Sequence, residues 1–154
     1  MIPSKEELIL SADSRFTREI HEKLLGAKVA VAGLGGLGSN VATMLARCNV
    51  GNMLLVDFDT VDITNLNRQA YTIAHIGEKK TDALPEILRG INPYLEIKTY
   101  FGRVTRENAA ELFGDYEIVC EAFDRPEEKA MLINTLMENC TNTRIVSGSG
   151  LAGY

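Results

Sequence analysis

The chain has no tryptophan among its 154 residues, and aromatics of all kinds make up only 6%. It has three cysteines, Cys48, Cys120 and Cys140, and no two of them form a CxxC pair. That excludes a disulfide framework and a cysteine-based zinc site within these residues, and leaves buried free thiols as the simple reading. Basic residues are outnumbered, 16 Lys and Arg against 21 Asp and Glu, for a formal net charge of −5. A surface of that sign disfavours nucleic acid or an anionic membrane as the main partner, although a local basic cluster around a phosphate site is compatible with it. No apolar run approaches the roughly 20 residues that a membrane span needs. The N-terminus is charged and has no apolar signal-peptide core, so a cytoplasmic location is expected. Repeats and low-complexity tracts are missing as well.

What is present is a 45% hydrophobic content. It is enough for one globular domain over residues 1–154, with 1–26 as a helical N-terminal arm. Ser4 and Glu7 form a capping-box pattern opening a short helix to about Ser11, and a second helix runs from about Arg15 to Leu25. Lys28–Gly33 and Asn52–Asp57 are short apolar runs that read as buried parallel strands. Between them Leu37, Val41, Met44, Leu45 and Cys48 recur at helical spacing. Residues 58–77 read as a long polar loop with a helical turn near Asn65, followed by a helix from Glu78 to Arg89 kinked by Pro85. Three further units complete the pattern: a strand over Leu95–Phe101, a helix over Thr105–Phe113 capped by Thr105, and a strand over Glu117–Cys120. A helix over Pro126–Cys140 buries Ile133, Leu136, Met137 and Cys140, and a fifth strand spans Arg144–Ser147. Strands alternating with helices predict an α/β, Rossmann-like, mostly parallel sheet with helices on both faces. The glycine-rich ending at residues 148–154 reads as a chain cut short after the fifth strand.

Gly33-Leu-Gly35-Gly36-Leu-Gly38 fits G-x-G-x-x-G, follows a strand and opens a helix. Glycine lets a phosphate approach the backbone, and the helix beginning near Leu37 aims N–H groups and its positive dipole end at that phosphate. Asp57 follows 19 residues after Gly38, at the C-terminal end of the second strand, where a carboxylate meets ribose hydroxyls. These features indicate a nucleotide without separating a nicotinamide, a flavin or ATP.

The next segment separates them. Asn65 and Arg68 are three apart and share a face on a helical turn. Arg68 can grip a phosphate bidentately while Asn65 adds a neutral hydrogen bond. Twelve residues beyond Arg68, Gly77-Glu-Lys-Lys80 places a lysine at a helix start, with Lys79 the solvated member of the pair. A dinucleotide dehydrogenase has no need of these cations, whereas a triphosphate under nucleophilic attack does. Asp124, at the end of the fourth strand, is placed to offer Mg²⁺ an oxygen ligand, and Asp124-Arg-Pro-Glu127 also reads as a helix cap. His21 and His75, the only histidines, read as surface or loop residues without a catalytic role.

Taken together, the chain resembles the ThiF/MoeB/HesA family, bacterial relatives of ubiquitin-activating enzymes, and most closely its ThiF type. The matching residues are Arg15-Phe-x-Arg18-Glu, Gly33 to Asn40, Asp57-Phe-Asp59-x-Val61, Asn65-Leu-Asn-Arg68-Gln69, Gly77-x-x-Lys80, Asn92-Pro93 and Asp124, in family order. The resemblance implies a homodimeric adenylyltransferase using ATP and Mg²⁺. Its substrate would be the C-terminal glycine carboxylate of a small ubiquitin-like sulfur carrier ending in Gly-Gly, in thiamine or molybdopterin biosynthesis. Gly33, Gly35, Gly36, Gly38, Asp57, Asp59, Asn65, Arg68 and Lys80 would bind the nucleotide. Arg68, Lys80, Asp124 and Arg18 would serve catalysis, with Asp124 on the metal and Arg18 reaching the partner subunit's ATP. Phe123 and Arg125 stand where many relatives have threonine and asparagine. Activation of a carboxylate on modified tRNA is an alternative that keeps the ATP chemistry. An NAD-dependent oxidoreductase is an alternative that leaves Arg68 and Lys80 unexplained, and a module that only binds nucleotide is a third.

Overall fold

Five parallel strands lie in the order β3-β2-β1-β4-β5 in a computed structural model that describes residues 2–13 and 17–149. The strands are β1 (Lys28–Ala32), β2 (Asn52–Asp57), β3 (Glu96–Phe101), β4 (Ile118–Glu121) and β5 (Arg144–Ser147). The helices are α1 (Lys5–Asp13), α2 (Arg18–Gly26), α3 (Gly36–Arg47), α4 (Lys80–Ile91), α5 (Arg106–Phe113) and α6 (Pro126–Asn139). The direction of strand order reverses between β1 and β4, which opens a crevice at their C-terminal ends. Arg15 and Phe16 of the N-terminal motif, and residues 150–154, lie outside the described residues.

Both faces of the sheet are covered, and the side-chain alternation of the strands assigns each face. Val31 of β1 and Met53 and Leu55 of β2 point one way, into a core completed by Ala42 and Ala46 of α3 and Leu84 and Leu88 of α4. Ala30, Ala32, Leu54 and Val56 point the other way, against Ala109 and Phe113 of α5 and Leu132 and Leu136 of α6. Truncating one of these fully buried leucines to alanine costs about 2–5 kcal/mol.

Two helices use a different face from the expected one. α3 turns its small residues Gly38, Ala42 and Ala46 inward, while Leu37 and Met44 are half exposed or more. A stripe of small side chains lets the helix lie close to the sheet, so close approach outweighs side-chain size here. In α6 Leu132 and Leu136 are buried, Ile133 is half-buried and Met137 is 70% exposed. All three cysteines are free and half-buried, with Cys48 and Cys140 at helix C-caps rather than inside apolar helix faces.

The arm begins as expected. Ser4 Oγ accepts the Glu7 N–H at 3.2 Å, and Glu7 accepts the Ser4 N–H at 2.7 Å. α1 and α2 pack on one another, and α2 ends at the N-terminal edge of the sheet, where the Gly51 N–H donates to Leu24 at 3.0 Å. His21 and His75 are both buried, so neither is a surface residue, although His75 does lie in the loop between β2 and α4. His21 lies beside Asn49 at 3.4 Å, and His75 accepts the Thr72 N–H at 3.0 Å. α4 starts at Lys80, two residues later than expected, and carries Pro85 inside it. Among the described residues no helix is long and apolar enough to cross a membrane.

Candidate functional site

A cleft of about 700 Å³ opens at the C-terminal ends of β1, β2 and β4. Its volume suits a nucleotide. Gly33, Gly35, Gly36, Asp57, Asp59, Asn65, Arg68 and Lys80 line it, together with Asp124, Glu128 and Lys129. Gly38 lies just below, buried in the first turn of α3.

The glycine turn is shaped by close approaches. Gly33 has φ +92, a conformation side-chain-bearing residues rarely adopt, and its N–H donates to Val56 at 2.8 Å. A Cβ on Gly38 would fall on the Gly33 carbonyl oxygen. Gly35 differs, since the nearest atom to a Cβ there is Gln69 Nε2 at 4.0 Å. That opening, at the N-cap of α3, is where an anion can meet free helix N–H groups.

Asp57 fastens the turn to β2. Its Oδ2 accepts the Leu34 N–H at 2.6 Å, and its Oδ1 accepts those of Phe58 at 2.7 Å and Asp59 at 2.8 Å. The buried Tyr71 hydroxyl donates to the Leu34 carbonyl at 2.9 Å. Burial, with the Asp57 and Asp59 carboxylates nearby, holds the Tyr71 pKa well above its ordinary value, so it stays a donor. Asn40 Nδ2 donates to the carbonyls of Gly36 at 2.6 Å and Arg68 at 2.9 Å, tying the turn to the following loop.

That loop holds the cations. A short 3-10 turn spans Ile63–Asn65, and a second spans Ile73–His75. Asp62 Oδ1 accepts the Thr64 N–H at 2.8 Å and its hydroxyl at 2.6 Å, which lowers the Asp62 pKa. Asn65 Oδ1 accepts the Asp62 N–H at 3.0 Å, and Asn65 lines the cleft. Arg68 is exposed, with Nη1 donating to Thr64 O at 3.2 Å and Asn67 Oδ1 at 3.0 Å. Lys80 is buried, its Nζ 3.1 Å from Asp59 Oδ2, while Asp59 remains half in solvent. Lys79 is exposed and sits over the Phe101 ring at 4.6 Å.

Asp124 also lines the cleft; it is exposed and makes no hydrogen bond or ion pair among the described residues. Its expected helix-capping role does not form, because α6 has Arg125 at its N-cap and no side-chain cap. Among the described residues no three His, Cys, Asp or Glu side chains cluster as a metal cage. Mg²⁺ held through substrate phosphates needs only one or two carboxylates, and Asp124 fits that requirement.

Three further residues had no role assigned from the sequence, although Asn40 lies within the matched glycine motif. Asn40 bridges the turn as described. Arg103 stacks over Phe58 at 4.0 Å and pairs with Glu128 at 3.3 Å. Glu121 is buried at the end of β4, with Lys129 Nζ at 2.6 Å. A charged residue closing a buried strand was the available signal for Glu121. Arg18 is not brought to this cleft. It is exposed at the start of α2 and pairs with Glu22 at 3.0 Å.

The model of the ThiF family matches residues 10–154. The adenylyltransferase and sulfurtransferase UBA4 of Candida glabrata is 37% identical over 157 residues, covering 95% of this chain and 36% of that protein. The molybdopterin-synthase adenylyltransferase of Haemophilus influenzae is 33% identical, covering 95% of this chain and 63% of that protein. The E. coli tRNA N6-threonylcarbamoyladenosine dehydratase TcdA, solved in complex with ATP, superposes with a TM-score of 0.87 at 28% identity. That match covers 96% of this chain and 61% of TcdA. The chain thus spans between about one third and two thirds of the length of these relatives. A parallel sheet with a glycine turn at its switch point, matched along nearly its whole length, identifies the chain as a member of the ThiF family.

Proposed function

We propose that this chain is the ATP-binding part of an adenylyltransferase. It would activate the C-terminal glycine carboxylate of a small ubiquitin-like sulfur carrier, as in thiamine or molybdopterin biosynthesis. The observation that carries this reading is that the exposed Arg68, the buried Lys80 and Asp124, which has no partner among the described residues, line one cleft. Redox transfer to a nicotinamide uses none of the three. Relatives named as adenylyltransferases, one of them for molybdopterin synthase, support the same reaction class.

In this reaction the carrier carboxylate is already ionised at neutral pH and needs no general base. One of its oxygens attacks the α-phosphorus in line. A new carboxyl O–P bond forms, the bond to the bridging oxygen breaks, and pyrophosphate leaves with its electron pair. The chain's work is positioning and charge neutralisation. The turn from Gly33 through Gly35 and Gly36 to Gly38 cradles the phosphates against the start of α3. Asn65, Arg68 and Lys80 meet the phosphates and balance the charge that grows on pyrophosphate. Asp57 would meet the ribose, with Asp59 beside it holding Lys80. Asp124 would hold Mg²⁺, which when bound neutralises phosphate charge and orients the leaving group. Arg18, exposed and outside its own cleft, would act in a homodimer at the partner subunit's ATP. Such chemistry draws on cytoplasmic ATP.

A second reading is favoured by the ATP-bound TcdA likeness: the activated carboxylate would then belong to a modified tRNA nucleoside. The net charge of −5 weighs against it. The test is pyrophosphate exchange into ATP by the full-length protein. Exchange is expected only with a carrier ending in Gly-Gly. Exchange driven by tRNA would replace the first reading with the second, and absence of both would sink the adenylylation reading.

A further inference from the structure

The turn carrying Asp124 is held by an ion pair between the buried Glu121, three residues earlier, and the mostly buried Lys129, five residues later. Glu121 closes β4 with its side chain fully buried. Its Oε1 accepts the Phe123 N–H at 2.7 Å. Its Oε2 accepts Lys129 Nζ and the Ser147 hydroxyl, each at 2.6 Å. Lys129 Nζ also donates to the Phe123 carbonyl at 3.2 Å. Both peptide groups of Phe123 are therefore gripped, one by the carboxylate and one by the ammonium. Asp124 follows immediately with no bond of its own among the described residues, and α6 begins without a side-chain cap. The clamp holds the backbone on the N-terminal side of Asp124. It also reaches β5, since the residue after Ser147 is Gly148, which lines the same cleft.

Stability alone does not account for such a pair. Taking two charges out of water costs several kcal/mol per ion, and apolar residues of similar volume often serve a core as well or better. A charged clamp does supply what packing cannot, namely directional bonds to one particular peptide. We propose that Glu121 and Lys129 are positioning residues that set the Asp124 carboxylate for the metal–triphosphate. This rests on the adenylylation reading above. Lys129 lines the cleft, so direct contact between its ammonium and a phosphate is the competing role.

The test uses the full-length protein as Lys129→Met and as the double variant Glu121→Gln with Lys129→Met. The double variant removes both charges together, so it reports even if the single variant leaves Glu121 unpaired and unfolds. Mn²⁺ binding in the presence of ATP is read by electron paramagnetic resonance, and ATP binding in EDTA by calorimetry. Loss of a group that orients a metal ligand is expected to weaken Mn²⁺ binding about 10–100-fold. ATP affinity in EDTA is expected to stay unchanged, and kcat for exchange to fall while KM for ATP holds. A Mn²⁺ curve that overlays wild type in a folded variant would overturn the proposal. So would a parallel loss of ATP affinity in EDTA, which would make Lys129 a phosphate ligand. Wild-type protein that binds Mn²⁺-ATP but exchanges no pyrophosphate would instead overturn the adenylylation reading, leaving the clamp to be judged by the metal curve.

Discussion

Asp57 Oδ2 accepts the Leu34 backbone N–H at 2.6 Å, although 23 residues separate the two in the chain. The bond joins the end of β2 to the glycine turn after β1. With the Phe58 and Asp59 N–H groups on Oδ1, it occupies most of the carboxylate's accepting capacity. Asp57 therefore holds the shape of the site, whatever it adds toward a ribose. Asp57→Asn turns an accepting oxygen into a donor and strands one buried N–H. It is expected to cost about 1–3 kcal/mol in chemical denaturation, with ATP affinity falling alongside. Tyr71→Phe, which frees the Leu34 carbonyl, is expected to cost about 1 kcal/mol.

The glycines of the turn are expected to separate by role. Gly38→Ala places a methyl on the Gly33 carbonyl, backbone against backbone, and should prevent the native turn from forming. Gly35→Ala meets nothing closer than 4.0 Å, so its melting temperature should match wild type. Its methyl enters the space left for phosphate, and ATP binding by calorimetry should be lost or severely weakened.

Much of this was legible in the chain, and the misses have physical causes. Strand runs such as Lys28–Ala32 and Asn52–Asp57 are apolar on both faces because helices cover both, and that pattern survives in sequence. The inward face of α3 did not, because Gly38, Ala42 and Ala46 carry little hydrophobic signal next to Leu37 and Met44. The strand order that brings Asp124 and Arg68 to one cleft depends on long-range pairing, which local periodicity does not encode. Burial of Lys80 depends on the Asp59 contact across 21 residues. The Glu121–Lys129 clamp has no motif and emerges only when β4, α6 and β5 are assembled.

Arg68 and Asp124 are expected to be separable from stability. Arg68 is exposed, and Asp124 makes no bond among the described residues. Arg68→Ala and Asp124→Asn should therefore stay within about 0.5 kcal/mol of wild type in denaturant. Each should lower pyrophosphate exchange by about 10²–10³-fold, as loss of a preorganised charge-stabilising group does. Only Asp124→Asn should also shift the Mg²⁺ dependence.

Lys80 should behave differently from Arg68, because its ammonium is buried and paired. Asp59→Ala leaves that charge without its carboxylate. The cost should be measurable but below the ~3–5 kcal/mol of a wholly buried broken pair, since Asp59 is half in solvent. Lys80→Met removes the charge itself and is expected to retain the fold while abolishing exchange, which circular dichroism and the exchange assay check together.

Adenylylation of the carrier is tested most directly by following the phosphorus. Full-length protein is incubated with a Gly-Gly carrier and ATP labelled at the α or the γ position. Attack of the carrier carboxylate on the α-phosphorus predicts label on the carrier from α-labelled ATP alone, with the γ label recovered in pyrophosphate. Label on the carrier from the γ position, or on no carrier at all, would contradict it.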